Sequence, residues 1–300
     1  MTTTVLAFRL RKFHPSLSIL LFKVTGLHTA TNYGTENIGE DGTSVTVFKE
    51  RTGGLFWSAA LDKNYIFPES GSKGYILTKT HCGGRCDGCP PNKYIESHQT
   101  FARECLSGNH IVKGEDGEPK MILDSYSKHL VGRAVHLIRS RFHHALKNFV
   151  KNNQTDRLVM YPRSKEGFRA FCNDQGERFY EEERDSRFYR NVFDDVKNIP
   201  CHTDFFRYIQ WHNLVFTTTW DLRLPAMILH YENYTDNFNE TKDILLEFLD
   251  HDGINDPPLF VTDKTYREYY TVDEVEAVSN MFSNLALDKT WDHTKHYFDQ

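Results

Sequence analysis

The chain of 300 residues has no apolar run near the ~18 residues that a membrane-spanning helix needs. Its best, Leu17-Ser-Ile-Leu-Leu-Phe22, is far shorter, so neither a spanning helix nor a membrane anchor is expected in this chain. Acidic residues are missing from the N-terminal stretch, where Glu36 is the first. Arg9, Arg11, Lys12, His14 and Lys23 make that stretch basic and apolar. Targeting segments have such a composition, and so has the opening strand and helix of a domain; the second reading is preferred. An excess of one charge is missing as well. The net charge is -5 with 26% charged residues, which excludes a protein that coats nucleic acid through a basic surface. Internal repeats are absent. Cysteine is scarce: Cys82, Cys86, Cys89, Cys105, Cys172 and Cys201 permit disulfides without demanding them.

What is present is core-forming material. Hydrophobic residues make up 39% of the chain and aromatics 14%, enough for one large folded domain rather than a disordered chain. Strand-like runs alternate with helix-like runs, which predicts an α/β fold with a central parallel sheet flanked by helices. Tyr75–Thr78, Ala134–Ile138 and Pro225–Leu229 read as buried strands. Phe142, Leu146, Phe149 and Val150 share a helical face after the second, and Ile244, Leu245, Phe248 and Leu249 share one after the third. Asp204–Leu222 reads as a long aromatic helix. Thr271-Val-Asp-Glu274 is a capping box that introduces the stripe Val275, Val278, Phe282 and Leu285. Residues 34–54 and 107–120 read as surface loops. One domain, 1–300, is expected, with 1–28 atypical.

In open parallel sheets, ligands bind beyond the carboxyl ends of the strands. Lys79 and His81 follow the first predicted strand, Arg139 the second, and His230, Tyr231 and Glu232 the third. Two cations, a base and a carboxylate on one edge suit transfer of an anionic group. Lys79 and His81 are two apart and face the same side of an extended segment. His is the side chain most easily poised as a base near neutral pH, and Lys can neutralise charge on a leaving oxygen. Arg139 precedes a basic segment with Arg141, His143, His144 and Lys147, either a phosphate site at a helix start or a solvated basic face. Cys82, Cys86 and Cys89 beside His81 fit structural zinc or a disulfide loop including Cys105. Phe205–Trp211 either lines a carbohydrate or phenol site or fills the core, and core is the preferred reading. Asn153-Gln-Thr155, Asn233-Tyr-Thr235 and Asn239-Glu-Thr241 are glycosylation sequons.

These segments, in this order and spacing, resemble the sulfotransferases that use 3'-phosphoadenosine 5'-phosphosulfate, above all an algal and microbial-eukaryote group. Thr78-Lys-Thr-His81 is similar to the family's Lys-Thr-His, and Val135-His-Leu-Ile-Arg139 to its strand ending in an arginine. Leu224–Glu232 with Ile244–Leu249 is similar to its strand, Tyr-Glu pair and following helix. Thr31-Asn-Tyr-Gly34, Cys201-His202 and Tyr208–Asn213 are similar to segments of the algal group. The similarity runs from about Thr29 to the C-terminus. It implies a P-loop NTPase-like fold, with His81 and Lys79 catalytic and Arg139 on the cofactor's 3'-phosphate. No metal is implied. The acceptor would be a small molecule or carbohydrate.

Three departures stand beside the resemblance. The family's Ser-Gly-Thr loop for the 5'-phosphosulfate is absent. Its place, Lys12–Ser18, offers Ser16, Ser18 and Lys12 instead. Lys147 stands where the family has a serine eight residues after the arginine, with Ser140-Arg141 in place of Asn/Asp-Pro. The C-terminal Arg-Lys-Gly is missing too. The expectation is therefore a sulfotransferase, with an inactive binding protein of the same fold as the alternative. Sequons, cysteines and the family's Golgi members point to the Golgi lumen and a disulfide-bonded glycoprotein; the cytoplasm is the alternative.

Overall fold

A computed structural model describes residues 3–9, 29–31, 44–46, 75–80, 82, 91–113, 118–125, 128–140, 142, 161–162, 164–185, 192–250 and 267–299. Contacts group them into two compact units, each assembled from three stretches of chain. The first comprises 1–82, 98–137 and 218–262, the second 83–97, 138–217 and 263–300.

The first unit is α/β. Its strands are β1 (Thr3–Arg9), β2 (Thr29–Thr31), β3 (Ser44–Thr46), β4 (Tyr75–Thr80), β5 (Ser107–Lys113), β6 (Pro119–Ser125), β7 (Val131–Ile138) and β8 (Ala226–His230). Six of them form one sheet in the order β3-β2-β4-β1-β7-β8. Strand β1 is parallel to both β4 and β7, and β2 is parallel to β3 and β4. Such a sheet is covered on both faces, so its inner strands lose the alternation of a half-exposed strand. β7 obeys this rule: Ala134 through Ile138 are all buried, His136 included. Val135 and Leu137 pack with Leu229 of β8, Tyr234 of α7 (Asn233–Asp236), and Leu245 and Leu249 of α8 (Phe238–Leu249). The Arg133 guanidinium lies over the Phe248 ring at 5.5 Å.

Each predicted strand exists, with shifted ends. β4 continues two residues past Thr78, so Lys79 and Thr80 are strand residues and not the start of a loop. β7 begins three residues earlier than read. Two loop expectations are corrected where the chain is described. Within 34–54, Ser44–Thr46 pairs with β2. Within 107–120 the chain forms the antiparallel hairpin β5–β6, from Ser107↔Ser125 to Lys113↔Pro119. Glycines at 108, 114 and 117 suggest a loop, but Ile111-Val112 and Met121-Ile122-Leu123 supply β-formers to both strands. On α8 the buried stripe is Thr241, Leu245 and Leu249, at the fourfold spacing of one helix face; Ile244, expected inward, is 48% exposed.

The second unit is helical among its described residues. It holds α1 (Pro91–Tyr94), α3 (Lys165–Arg178), α4 (Tyr180–Arg184), α5 (Phe193–Val196), the long α6 (His202–Asp221) through Thr217, α9 (Val272–Leu285) and α10 (Asp288–Asp292). Helix α2 (His98–Cys105) belongs to the first unit. The capping box forms as expected: the Glu274 amide donates to Thr271 Oγ1 and the Thr271 amide to Glu274 Oε2. Val275, Val278 and Phe282 are buried behind it. Phe205, Phe206, Tyr208, Ile209 and Trp211 of α6 are buried as well, which settles that stretch as core. Phe205 meets Phe142, Tyr270 and Phe282 edge-on at 5.5, 5.7 and 6.5 Å. Edge-to-face contacts of this kind add about 0.5–1.5 kcal/mol each beyond area burial.

Candidate functional site

The parallel register aligns the strand ends where an anionic ligand is expected. Across the sheet, Lys79 of β4 is level with Ala7 of β1, and Ala7 with Val135 of β7. One row on, Thr80, Phe8 and His136 are level. The carboxyl ends of β4, β1 and β7 thus share one edge, and β4 and β7 flank β1 at about 5 Å each. The chain moves outward from β1 to β2 and β3, returns to β4 beside β1, then crosses to β7 on the other side. Strand order reverses across β1, and a parallel sheet opens a crevice for ligands at such a reversal.

Of the residues singled out in the sequence, Lys79 is the penultimate residue of β4. Arg139 directly follows β7; it is half-buried, and its carbonyl accepts a hydrogen bond from the Tyr208 hydroxyl at 2.8 Å. His230 closes β8. Tyr231 packs against the Val135–Leu229 core, so it serves packing at least as much as polarity. His81, Lys147, Ser16 and Lys12 lie outside the described residues, as do Ser18, Cys86, Cys89 and Asn153.

One residue beyond His81, Cys82 is buried, has a left-handed backbone (φ 51°) and is disulfide-bonded to Cys105, the last residue of α2. A cysteine in a disulfide has no thiolate for zinc. The zinc set of Cys82, Cys86 and Cys89 therefore loses Cys82, and the disulfide reading with Cys105 is the one realised. The described residues contain no cluster that could hold a metal ion.

Sequence reasoning missed a second polar centre, in the helical unit. Glu183 of α4 is 1% exposed. It accepts hydrogen bonds from His202 Nε2 (2.8 Å), Thr203 Oγ1 (2.7 Å) and Tyr94 OH (3.0 Å). Burial alone would raise its pKa, but the bonds from His202, Thr203 and Tyr94 together outweigh it and hold the carboxyl below the usual range. Arg207 stacks on the Tyr94 ring at 4.3 Å, and Gln210 joins the Tyr94 carbonyl to the Glu96 amide. Next to it, Cys172 of α3 is disulfide-bonded to Cys201. One turn along α3, Gly176 leaves room for the His202 ring. A general base must reach its substrate. Glu183 and His202 are both sealed from solvent, so the centre is a fastening of α4 and α6 to the 91–97 segment. In the sequence, Cys172 and Cys201 are the available signal for this centre.

No helix among the described residues is long and apolar enough to cross a membrane. The chain matches no protein-family model, no curated protein and no solved structure.

Proposed function

We propose that this chain is a sulfotransferase of P-loop NTPase-like fold. It moves the sulfuryl group of 3'-phosphoadenosine 5'-phosphosulfate to a hydroxyl or amine of a small molecule or carbohydrate. The observation that carries the reading is the strand order. The strand preceding 10–18 stands between the strand that runs into Lys79-Thr80-His81 and the strand that runs into Arg139. Those are the segments whose resemblance pointed to this chemistry, and the sheet's parallel ladders end them on one edge.

In this mechanism the acceptor oxygen or nitrogen attacks sulfur in line. His81 takes the acceptor's proton, an effect worth roughly 10²–10⁴-fold. The bond from sulfur to the bridging phosphate oxygen breaks, and the electron pair goes to that oxygen. Lys79 neutralises the charge that builds there. Arg139 and Lys147 hold the 3'-phosphate, Arg as a fork and Lys as a point charge. Ser16, Lys12 and backbone amides of 12–18 meet the 5'-phosphosulfate. Positioning and electrostatics supply most of the rate, as in phosphoryl transfer. The two disulfides among the described residues fit an oxidising compartment, so the secretory route, with the Golgi lumen as the working site, completes the proposal.

A second reading rests on the absence of Ser-Gly-Thr from 12–18. Without a glycine, the backbone cannot approach the phosphosulfate as closely. The chain would then be a binding protein on the same scaffold. Transfer of labelled sulfuryl to a panel of phenols and sugars tests both. Turnover that Lys79→Ala and His81→Ala each reduce at least roughly 10²-fold supports the enzyme. Nucleotide binding without turnover on any acceptor supports the binding protein.

A further inference from the structure

We infer that the Cys82–Cys105 disulfide is a positioning device for the edge of the sheet at Lys79 and Thr80. The inference rests on the proposed transfer reaction for its functional half and on geometry for its structural half. Strand β4 ends at Thr80, and only one residue separates it from Cys82. At Cys82 the backbone turns through a left-handed conformation that a residue with a β-carbon rarely adopts. The chain then leaves the first unit at Gly83 and re-enters it at His98, the start of α2. Cys105 closes that helix, buried like Cys82, and the chain continues into β5.

The bond therefore spans the whole excursion. It joins the exit point of the chain to the helix by which it returns, and both ends stay in the unit that holds β4. On the other side, β4 is paired through to its end, Thr80 with Phe8. His81 in the chain thus has an anchored neighbour on each side: a laddered strand residue before it and a cross-linked cysteine after it. Past Thr80 the chain leaves the ladder, and local opening is easiest where few bonds hold the backbone. The disulfide removes that freedom where misplacement of about 1 Å would cost roughly 10²-fold in rate. The Cys172–Cys201 bond lies wholly in the helical unit and gives a matched control.

The test compares wild type, Cys82→Ser/Cys105→Ser and Cys172→Ser/Cys201→Ser by hydrogen exchange, thermal melting, calorimetric binding of 3'-phosphoadenosine 5'-phosphate and sulfuryl transfer. Both variants lose melting temperature. Only the first is expected to speed exchange at the Lys79 and Thr80 amides. Only the first should lower kcat by at least roughly tenfold, while its nucleotide Kd moves less than about threefold. Cys82→Ala/Cys105→Val, which refills the buried volume, replaces the serine pair if that pair does not fold. Unchanged exchange at Lys79 and Thr80 overturns the inference, as does an equal loss of kcat in both variants. A wild type without turnover overturns the proposed reaction instead, and the exchange comparison then decides the positioning claim alone.

Discussion

His202 Nε2 donates to Glu183 Oε2 at 2.8 Å, inside a protein core and between two helices that the sequence does not visibly relate. Burial of a carboxylate is costly unless its lone pairs are filled. Here Thr203 and Tyr94 fill the second oxygen. The carboxylate is therefore held ionised by its partners.

Acid should expose that arrangement. The folded pKa of Glu183 lies below its unfolded value, so its contribution is complete above the ordinary glutamate range and is lost as pH falls through the folded value. Glu274 is depressed too, its burial outweighed by bonds from Arg169 and Thr271, and it acts in the same direction. Glu183→Gln is expected to cost about 2–3 kcal/mol at pH 7, the loss of charge-assisted bonds, and to flatten the decline of stability below about pH 4.5. Urea unfolding from pH 3 to pH 7 measures both.

Two glycines in α3 should answer differently to alanine. A Cβ on Gly167 would stand 1.8 Å from the Pro162 carbonyl oxygen, a backbone atom that cannot swing away. Gly167 also lies in the first turn, where its amide donates to the Ser164 cap. Gly167→Ala is expected to destabilise by at least about 3 kcal/mol. A Cβ on Gly176 would only touch His202 Cε1 at 3.4 Å. Gly176→Ala should be neutral or gain up to about 1 kcal/mol from helix propensity. Equal melting temperatures for the two variants would contradict the packing described for α3.

The Arg169–Glu274 pair ties α3 to the start of α9. Arg169 Nη1 and Nη2 donate to Glu274 Oε1 and Oε2 at 2.7 and 2.8 Å, while Glu274 also caps Thr271. Removing the carboxylate thus takes away both functions. Glu274→Ala is expected to cost about 2 kcal/mol, against about 1 kcal/mol for Thr271→Ala. Arg169→Lys should not restore the loss of Arg169→Ala, because an ammonium cannot make the two-pronged contact. Chemical denaturation of the four variants checks the order.

Legibility in the sequence followed locality. The Thr271–Glu274 cap and its stripe could be read directly, because every partner lies within a few residues. The long aromatic helix and the α/β alternation could also be read. Strand ends were less legible: Lys79 and Thr80 pair with Ala7 and Phe8, more than sixty residues away, and no local signal announces that. Glycine misled at β5–β6, where β-formers in both strands set the pairing and Gly108 is itself a ladder residue, level with Asp124. Cysteine pairing was half legible. Zinc with Cys86 and Cys89 and a disulfide loop including Cys105 both stood open for Cys82, and the bond to Cys105 is the one formed. The Glu183 centre joins residues 94, 183, 202 and 203, and carries no spacing by which a single sequence could reveal it.

In the proposed function, the edge shared by β4, β1 and β7 serves an adenosine bisphosphate nucleotide. Calorimetric titration with 3'-phosphoadenosine 5'-phosphate tests it most directly. The wild type is expected to bind with micromolar affinity, on the order of -8 kcal/mol, and Arg139→Ala to abolish binding. No measurable binding to the folded wild type would contradict it.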